Sequence, residues 1–374
     1  MRISSFSVWL CESELPLEFS WRKGLAGSRD GFPAGATPRH AVIRMETDCG
    51  KSAWVTASTG ELAFDLVRRR FHLFLGQNPL MTEDLWQQVW EVDRIEEIHI
   101  KVFGLLDLLA WDLKSRLCEL PVHQLLGGNA TTVQAYASTV TFPTIEDYER
   151  HIKLCMDVGF SAFKLHAWGD VRNDIELCQA LRRWVGPEAI LMLDGSAGWD
   201  YVDALEVGLA LQDEGFFWYE EPMREFHLGA YKKLCDDLSI PVLAAETSDG
   251  VHWNAASWIE AGALDMMRVS TVMKGGLTGA IKVAHLAESF GMRAQVHAGG
   301  MANAQLCAAI PNHDFFVQLV INEAELTGRS TSDHLPICDG FLTVSGEPGL
   351  CAAYEADQLD EIAVDKFHVD ARDL

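Results

Sequence analysis

Three short apolar runs each end in a carboxylate: Ile190-Leu-Met-Leu-Asp194, Phe216-Phe-Trp-Tyr-Glu220 and Val242-Leu-Ala-Ala-Glu246. The acids stand 26 residues apart, twice. A step of that length holds about one strand, one loop and one helix, so three successive parallel strands would each deliver one oxygen ligand to a common point. Three converging carboxylates without Cys or His outline a site for a hard divalent cation such as Mg²⁺, which takes oxygen ligands and keeps positions open for water or substrate. Glu220 is followed by Glu221, and periodicity does not separate the two, because both faces of that run are apolar.

The elements that would hold these acids recur along the chain. Strand candidates are Val133 to Thr139, Ala162 to His166, Ile190 to Asp194, Phe216 to Glu220, Val242 to Glu246, Asp265 to Ser270, Arg293 to His297 and Phe315 to Val320. Between them, Ile145 to Val158, Asp174 to Val185, Val202 to Asp213, Tyr231 to Leu238 and Thr278 to Phe290 carry apolar residues at three- and four-residue intervals, as helices do. Strands alternating with helices predict an α/β domain, a (β/α) barrel over residues 133–350 rather than a doubly wound sheet. Residues 1–132 read differently. Alternation in Ile3 to Leu10 and His40 to Glu46, followed by helical stretches Leu62 to Phe74, Thr82 to Val89 and Ile98 to Leu117, predicts an α+β unit. The Gly-rich segment Trp21 to Phe32 carries three cations and reads either as a mobile loop over the barrel mouth or as a surface turn. Residues 351–374 form an acidic tail expected to return to the first unit or along the barrel exterior.

Composition limits the partners. A chain of 374 residues that is 48% hydrophobic can bury a barrel core and that of a second domain. Its net charge of −24 argues against nucleic acid and against anionic membranes, which need clustered Lys and Arg, and means that an anionic substrate requires local positive charge. Nine cysteines are scattered without C-x-x-C spacing and read as reduced core thiols. No apolar run approaches a membrane span and the first residues do not resemble a secretory signal, so the expected location is cytoplasmic.

Functional groups of barrel enzymes sit at the carboxyl ends of strands. Strand two ends in Phe163-Lys164-Leu165-His166, where Lys164 and His166, two apart, share a face. A cation there would stand beside the three carboxylates. Strand seven ends in Ala294-Gln-Val-His297, on roughly the opposite side of an eight-stranded ring, so two imidazoles would flank whatever the cation holds.

The order Lys164-x-His166, Asp194, Glu220-Glu221-Pro222, Glu246, His297 resembles the enolase superfamily, in its mandelate racemase-like branch of acid-sugar dehydratases and racemases. Gly104-Leu-Leu-Asp-Leu-Leu-Ala-Trp111-Asp112-Leu-Lys114 with Leu120-Pro-Val-His-Gln-Leu-Leu-Gly127-Gly128 resembles that superfamily's junction from capping domain to barrel, and Lys274-Gly275-Gly276-Leu-Thr278 its turn after strand six. The resemblance implies an α+β capping domain over a modified (β/α)₇β barrel, with Mg²⁺ on Asp194, Glu220 and Glu246, and it selects Glu220 over Glu221 as the ligand. The chemistry implied is abstraction of a proton α to a carboxylate. That proton is weakly acidic because its removal adds a second negative charge, which Mg²⁺ and Lys164 would stabilise.

Departures from the family pattern are also legible. Many relatives carry Lys-x-Lys on strand two; here His166, from a reference pKa near 6.5 rather than about 10.4, needs little tuning to act as a base near neutral pH. Ser270 stands where relatives pair the strand-seven His with an Asp, so His297 reads as a neutral donor, or as an acid once it has taken a proton. Val317 replaces a Glu often found on strand eight, and Asp194-Gly195-Ser196 replaces Asp-Ala-Asn. Trp168, Ser196, Arg268 and Ser270 are the candidate substrate contacts. The leading reading is dehydration of an acid sugar to a 2-keto-3-deoxy acid, with Lys164 holding the carboxylate, His166 the base and His297 the donor to the leaving hydroxyl. Racemisation or epimerisation between the two imidazoles is the alternative, and a non-catalytic ligand-binding barrel the reading from another class. The expected partner is a small carboxylate; similar enzymes commonly assemble, so a homo-oligomer stays open.

Overall fold

The computed structural model describes residues 1–13, 19–23, 25–26, 37–96, 99–322, 335 and 337–373. Its first sheet is antiparallel. Strand β1 (Ile3–Glu12) is central, β2 (Ser20–Arg22) and β3 (Leu25–Ala26) form a separate short ribbon, and β4 (Arg39–Thr47) pairs with β1 and with β5 (Ser52–Ala57). The greater part of the segment Trp21 to Phe32 lies outside the described residues. Helices α1 (Gly60–Arg70), α2 (Thr82–Glu96) and α3 (Ile100–Cys118) complete this cap. Helix α1 lays Ala63, Phe64, Leu66 and Val67 on the sheet, the spacing of one helical face.

After the short helix α4 (Val122–Leu125), strands and helices alternate: β6 (Thr132–Thr139), α5 (Ile145–Asp157), β7 (Ala162–His166), α6 (Val171–Val185), β8 (Ile190–Asp194), α7 (Tyr201–Asp213), β9 (Trp218–Glu220), α8 (Leu228–Asp237), β10 (Val242–Ala244), α9 (Val251–Ala261), β11 (Met266–Val269), α10 (Gly276–Ser289), β12 (Ala294–Val296), α11 (Met301–Ala309) and β13 (Phe316–Val320). Parallel pairing runs unbroken from β12 down to β6, and β13 pairs with β6 from the other side. The seam between β13 and β12 is bridged by the Ala294 N–H to the Asn312 carbonyl at 2.7 Å and by Gln295 bonding Asp314. The ring encloses Tyr136, Ala162, Met192, Trp218, Leu243, Met266, Phe315 and Val317, a buried interior layer in which aromatic edges meet faces. This is the α/β barrel with an N-terminal cap that the strand–helix alternation predicts. A hairpin of β14 (Ile337–Cys338) and β15 (Phe341–Thr343) adds antiparallel to β6, and the final strand, β16 (Ala363–Asp370), pairs with β1 in the cap sheet.

Cap and barrel meet where α3 crosses α10. Gly104 is needed there: a Cβ on it would stand 2.6 Å from the backbone nitrogen of Gly276. Gly276, at φ +91°, leaves room for Asp107, whose carboxylate accepts the Thr278 N–H at 2.9 Å and the Thr278 hydroxyl. Burial raises the Asp107 pKa to about 7, against the opposing pull of these bonds. Because the folded value lies above the unfolded one, the folded state holds a proton the unfolded chain has lost. Stability is therefore fully present below about pH 4 and falls as pH rises toward 7. From pH 5 to pH 8 the loss amounts to about 3 kcal/mol. Asp107→Asn keeps the shape without the charge. Its thermal midpoint is expected to gain on that of the unsubstituted protein by a few degrees between those pH values; a constant offset across the range would mean that the carboxylate ionises at its ordinary pH.

Candidate active site

The register of the parallel strands sets the site. His166, Asp194 and Glu220 are direct partners across β7, β8 and β9, so their side chains stand in one row at the carboxyl ends of the strands. One turn of the pleat deeper, Lys164 reaches up from β7 between the two acids, its Nζ 3.0 Å from Asp194 Oδ2 and 2.9 Å from Glu220 Oε2. His166 Nε2 is 3.2 Å from the same Asp194 oxygen. Burial works against charge on both Lys164 and Asp194, but their mutual attraction outweighs it: Lys164 is raised and held as an ammonium, and Asp194 lies well below the carboxylate range. Glu220 is fully buried, its second oxygen 2.8 Å from Arg268 Nη2, while Trp218 Nε1 donates to the first at 3.1 Å.

Across the barrel, strand β10 ends at Ala244 rather than at Glu246, because Ala245 takes φ +73° and turns the chain. That turn brings Glu246 over the barrel axis, its Oε2 3.0 Å from His297 Nδ1. Burial opposes its ionisation, yet His297 and then Arg268 bring it down to about 2. The sequence leaves His297 without a carboxylate partner once Ser270 is noted, and the structure supplies one from β10 instead of β11. Glu221 departs from strand parity as well. At φ +41° it also turns inward, accepts the Glu246 N–H at 3.0 Å, and is pushed well above the carboxylate range by burial and then by Glu246. Both members of the Glu220–Glu221 pair therefore face the site, Glu220 beneath its floor and Glu221 on its wall.

These groups open into one cavity of about 610 Å³, within the usual range for small-molecule sites. Lys164, His166, Asp194, Glu246 and His297 line it, with Trp21 of the cap closing one side, its ring 4.9 Å from that of His166. Val317, Leu319, Ala298 and Gly299 form an apolar wall. Of the candidate substrate contacts, Ser196 lines the cavity, at φ +46°, with its N–H 2.8 Å and hydroxyl 3.2 Å from Asp194 Oδ1. The other three do not line it. Arg268 is fully buried, donating to Tyr136 and paired with Glu220, and contacts the acids from outside the cavity lining. Ser270 is buried and its Oγ accepts the N–H groups of Val272 and Met273, closing the turn after β11. Trp168 faces an adjacent cleft, its Nε1 tied to the Phe142 carbonyl at 2.7 Å. Sequence reasoning missed Arg224, Glu225, Ser138 and Thr247, all on the cavity wall. A cation two residues after Pro222, in the loop following a ligand-bearing strand, was the signal available for Arg224.

Among the described residues, ligand atoms of Glu220, Glu246 and His297 lie within 4.8 Å of one another, close enough to share one cation. Asp194 is outside that group and joins it through the Lys164 ammonium, which occupies the space between Asp194 and Glu220. Buried carboxylate oxygens whose nearest partners are cations are a donor set that suits a hard divalent ion.

The family model for enolase C-terminal domain-like proteins matches residues 147–358. An arabinonate dehydratase of Saccharolobus solfataricus is 24% identical over 290 residues, covering 74% of this chain and 77% of that protein. A D-galactarolactone cycloisomerase of Agrobacterium fabrum is 26% identical over 350 residues, covering 86% of this chain and 90% of that protein. The crystal structure of a D-glucarate dehydratase from Agrobacterium tumefaciens complexed with magnesium superposes with a TM-score of 0.85 at 28% identity, over 98% of this chain and 99% of that one. The chain belongs to the enolase superfamily, in the branch of mandelate racemase and muconate lactonizing enzyme. It is therefore an enzyme of the lyase or isomerase kind, as its relatives, which also include racemases and epimerases, are. No helix among the described residues is long and apolar enough to cross a membrane.

Proposed function

We propose that this enzyme removes the proton α to the carboxylate of an acid sugar and expels the β-hydroxyl, giving a 2-keto-3-deoxy acid, with Mg²⁺ as cofactor. The observation that carries the reading is the placement of Lys164 between two buried acids on the floor of a cavity whose opposite walls bear His166 and His297. Asp194, Glu220 and Glu246 would hold the ion, with His297 close enough to compete for it through Glu246. When bound, Mg²⁺ supplies the Lewis acidity that draws charge onto the substrate carboxylate. Lys164 donates to that carboxylate and stays cationic, so the second negative charge develops against a fixed, buried ammonium. His166 takes the α-proton. The pair of electrons left on the α-carbon forms the double bond as the β-hydroxyl leaves with a proton from His297, and the enol tautomerises to the keto acid.

Epimerisation is the second reading, favoured by the second imidazole alone: His297 would return the proton to the face opposite His166. The two are separated in D₂O. Under dehydration, His297→Asn is expected to keep α-deuterium exchange while keto-acid formation falls about 10²-fold, and His166→Asn to lose both. Exchange without any keto acid from the unsubstituted protein, across a library of acid sugars, would establish epimerisation instead.

A further inference from the structure

The rim of the cavity carries positive charge that no acid of the described residues neutralises. Arg224, in the loop after β9, lines the cavity and is exposed, with no ion-pair partner among the described residues. Arg22 lies close by. Its Nε donates to the Ser196 carbonyl at 2.9 Å and its Nη1 to the Lys23 carbonyl at 3.2 Å, so its guanidinium bonds only neutral oxygens. Its stem passes close over Gly198, where a Cβ would stand 3.3 Å from Arg22 Cδ, tighter than ordinary contact. The strand is strapped down on both sides, by the Thr141 N–H to the Ser20 carbonyl at 2.8 Å and by the Lys23 N–H to the Trp168 carbonyl at 3.0 Å. Burial and then the like charge of Arg224 both push the Arg22 pKa down. In a chain of net charge −24, a guanidinium on the cavity lining with a second one held beside that lining through Ser196 makes a place where an anion is favoured. Glu225 also lines the cavity, yet no ion pair links it to either arginine, and Val317, Leu319 and Ala298 on the lining offer no polar side chain.

Resting on the reading above, in which the reacting carboxylate sits at the Lys164 floor, we propose that Arg224, supported by Arg22, binds a second, distal carboxylate, making the substrate a dicarboxylic polyhydroxy acid rather than a monocarboxylic one. D-glucarate and D-gluconate form a matched pair of probes, since they differ only in whether the far carbon is a carboxylate or a hydroxymethyl group. Calorimetry on Mg²⁺-loaded protein carrying His166→Asn, which stops turnover, is expected to show glucarate binding at least tenfold tighter than gluconate. Arg224→Gln is expected to remove most of that preference, Arg22→Gln part of it, and Arg224→Lys to restore part of what glutamine loses, with thermal midpoints confirming that each variant folds. Galactarate against galactonate repeats the comparison with other hydroxyl configurations. Equal affinity for acid and diacid in both pairs, or a preference that survives Arg224→Gln, overturns the proposal. The two readings fail separately: turnover of monocarboxylic acids as good as that of diacids leaves dehydration standing and removes the diacid, whereas an Arg224-dependent preference without any dehydration does the reverse.

Discussion

Methionine in place of Lys164 is expected to lower kcat by about 10³-fold at saturating Mg²⁺. The side chain keeps its length and loses its charge, so the substrate carboxylate would meet Asp194 and Glu220 without the ammonium that now stands 3.0 and 2.9 Å from them. Two effects act together. The developing dianion loses its fixed cation, and in the metal-free protein Asp194 loses the ammonium that holds it well below the carboxylate range while Glu220 loses a buried partner. The second effect lowers the thermal midpoint of the metal-free variant, and Mg²⁺ is expected to recover much of it because the ion replaces the missing charge. A loss of less than tenfold in kcat, in a variant that folds, would remove Lys164 from the chemistry.

Glu246→Gln is expected to cost a similar factor, about 10³-fold or several kcal/mol of transition-state stabilisation, through the metal. Glutamine can still bond His297, so the fold of the turn at Ala245 is retained while the ion loses a charged ligand. The readout independent of turnover is thermal. A ligand at 100 times its dissociation constant adds about 2.7 kcal/mol of stability, so Mg²⁺ should raise the midpoint of the unsubstituted protein clearly and that of Glu246→Gln little at equal concentration. Identical responses of the two proteins to Mg²⁺ would mean that Glu246 does not hold the ion.

What the sequence made legible follows from how strands work. Lys164, His166 and Asp194 lie inside β7 and β8, where alternation fixes the face and the parallel register fixes the neighbour, so their association could be read from spacing. Glu246 and His297 lie beyond the last paired residues of β10 and β12, and their positions are set by Ala245 at φ +73° and by the turn at Ala298, φ +66°, which alanines do not announce. The inward approach of Glu221 has the same origin. Arg268 shows a different limit. It shares the inner face of β11 with Met266, but alternation carries no depth, and the arginine is fully buried and absent from the cavity lining. The barrel itself was legible because eight apolar runs alternating with amphipathic helices leave few other arrangements.

The antiparallel pairing of β16 with β1 has a mechanical consequence. The polypeptide leaves the cap once, between α3 and β6, and re-enters it after β15, so the two bodies are tethered at two points and further clasped by the glycine contact at Gly104. A hinge needs a single flexible crossing; a doubly anchored lid cannot swing as a whole. The short ribbon bearing Trp21 and Arg22 stands apart from both anchors and meets the barrel at its mouth through the Ser20 carbonyl, the Lys23 N–H and the Arg22 guanidinium, so the wall it adds to the cavity is fixed independently of how cap and barrel are joined.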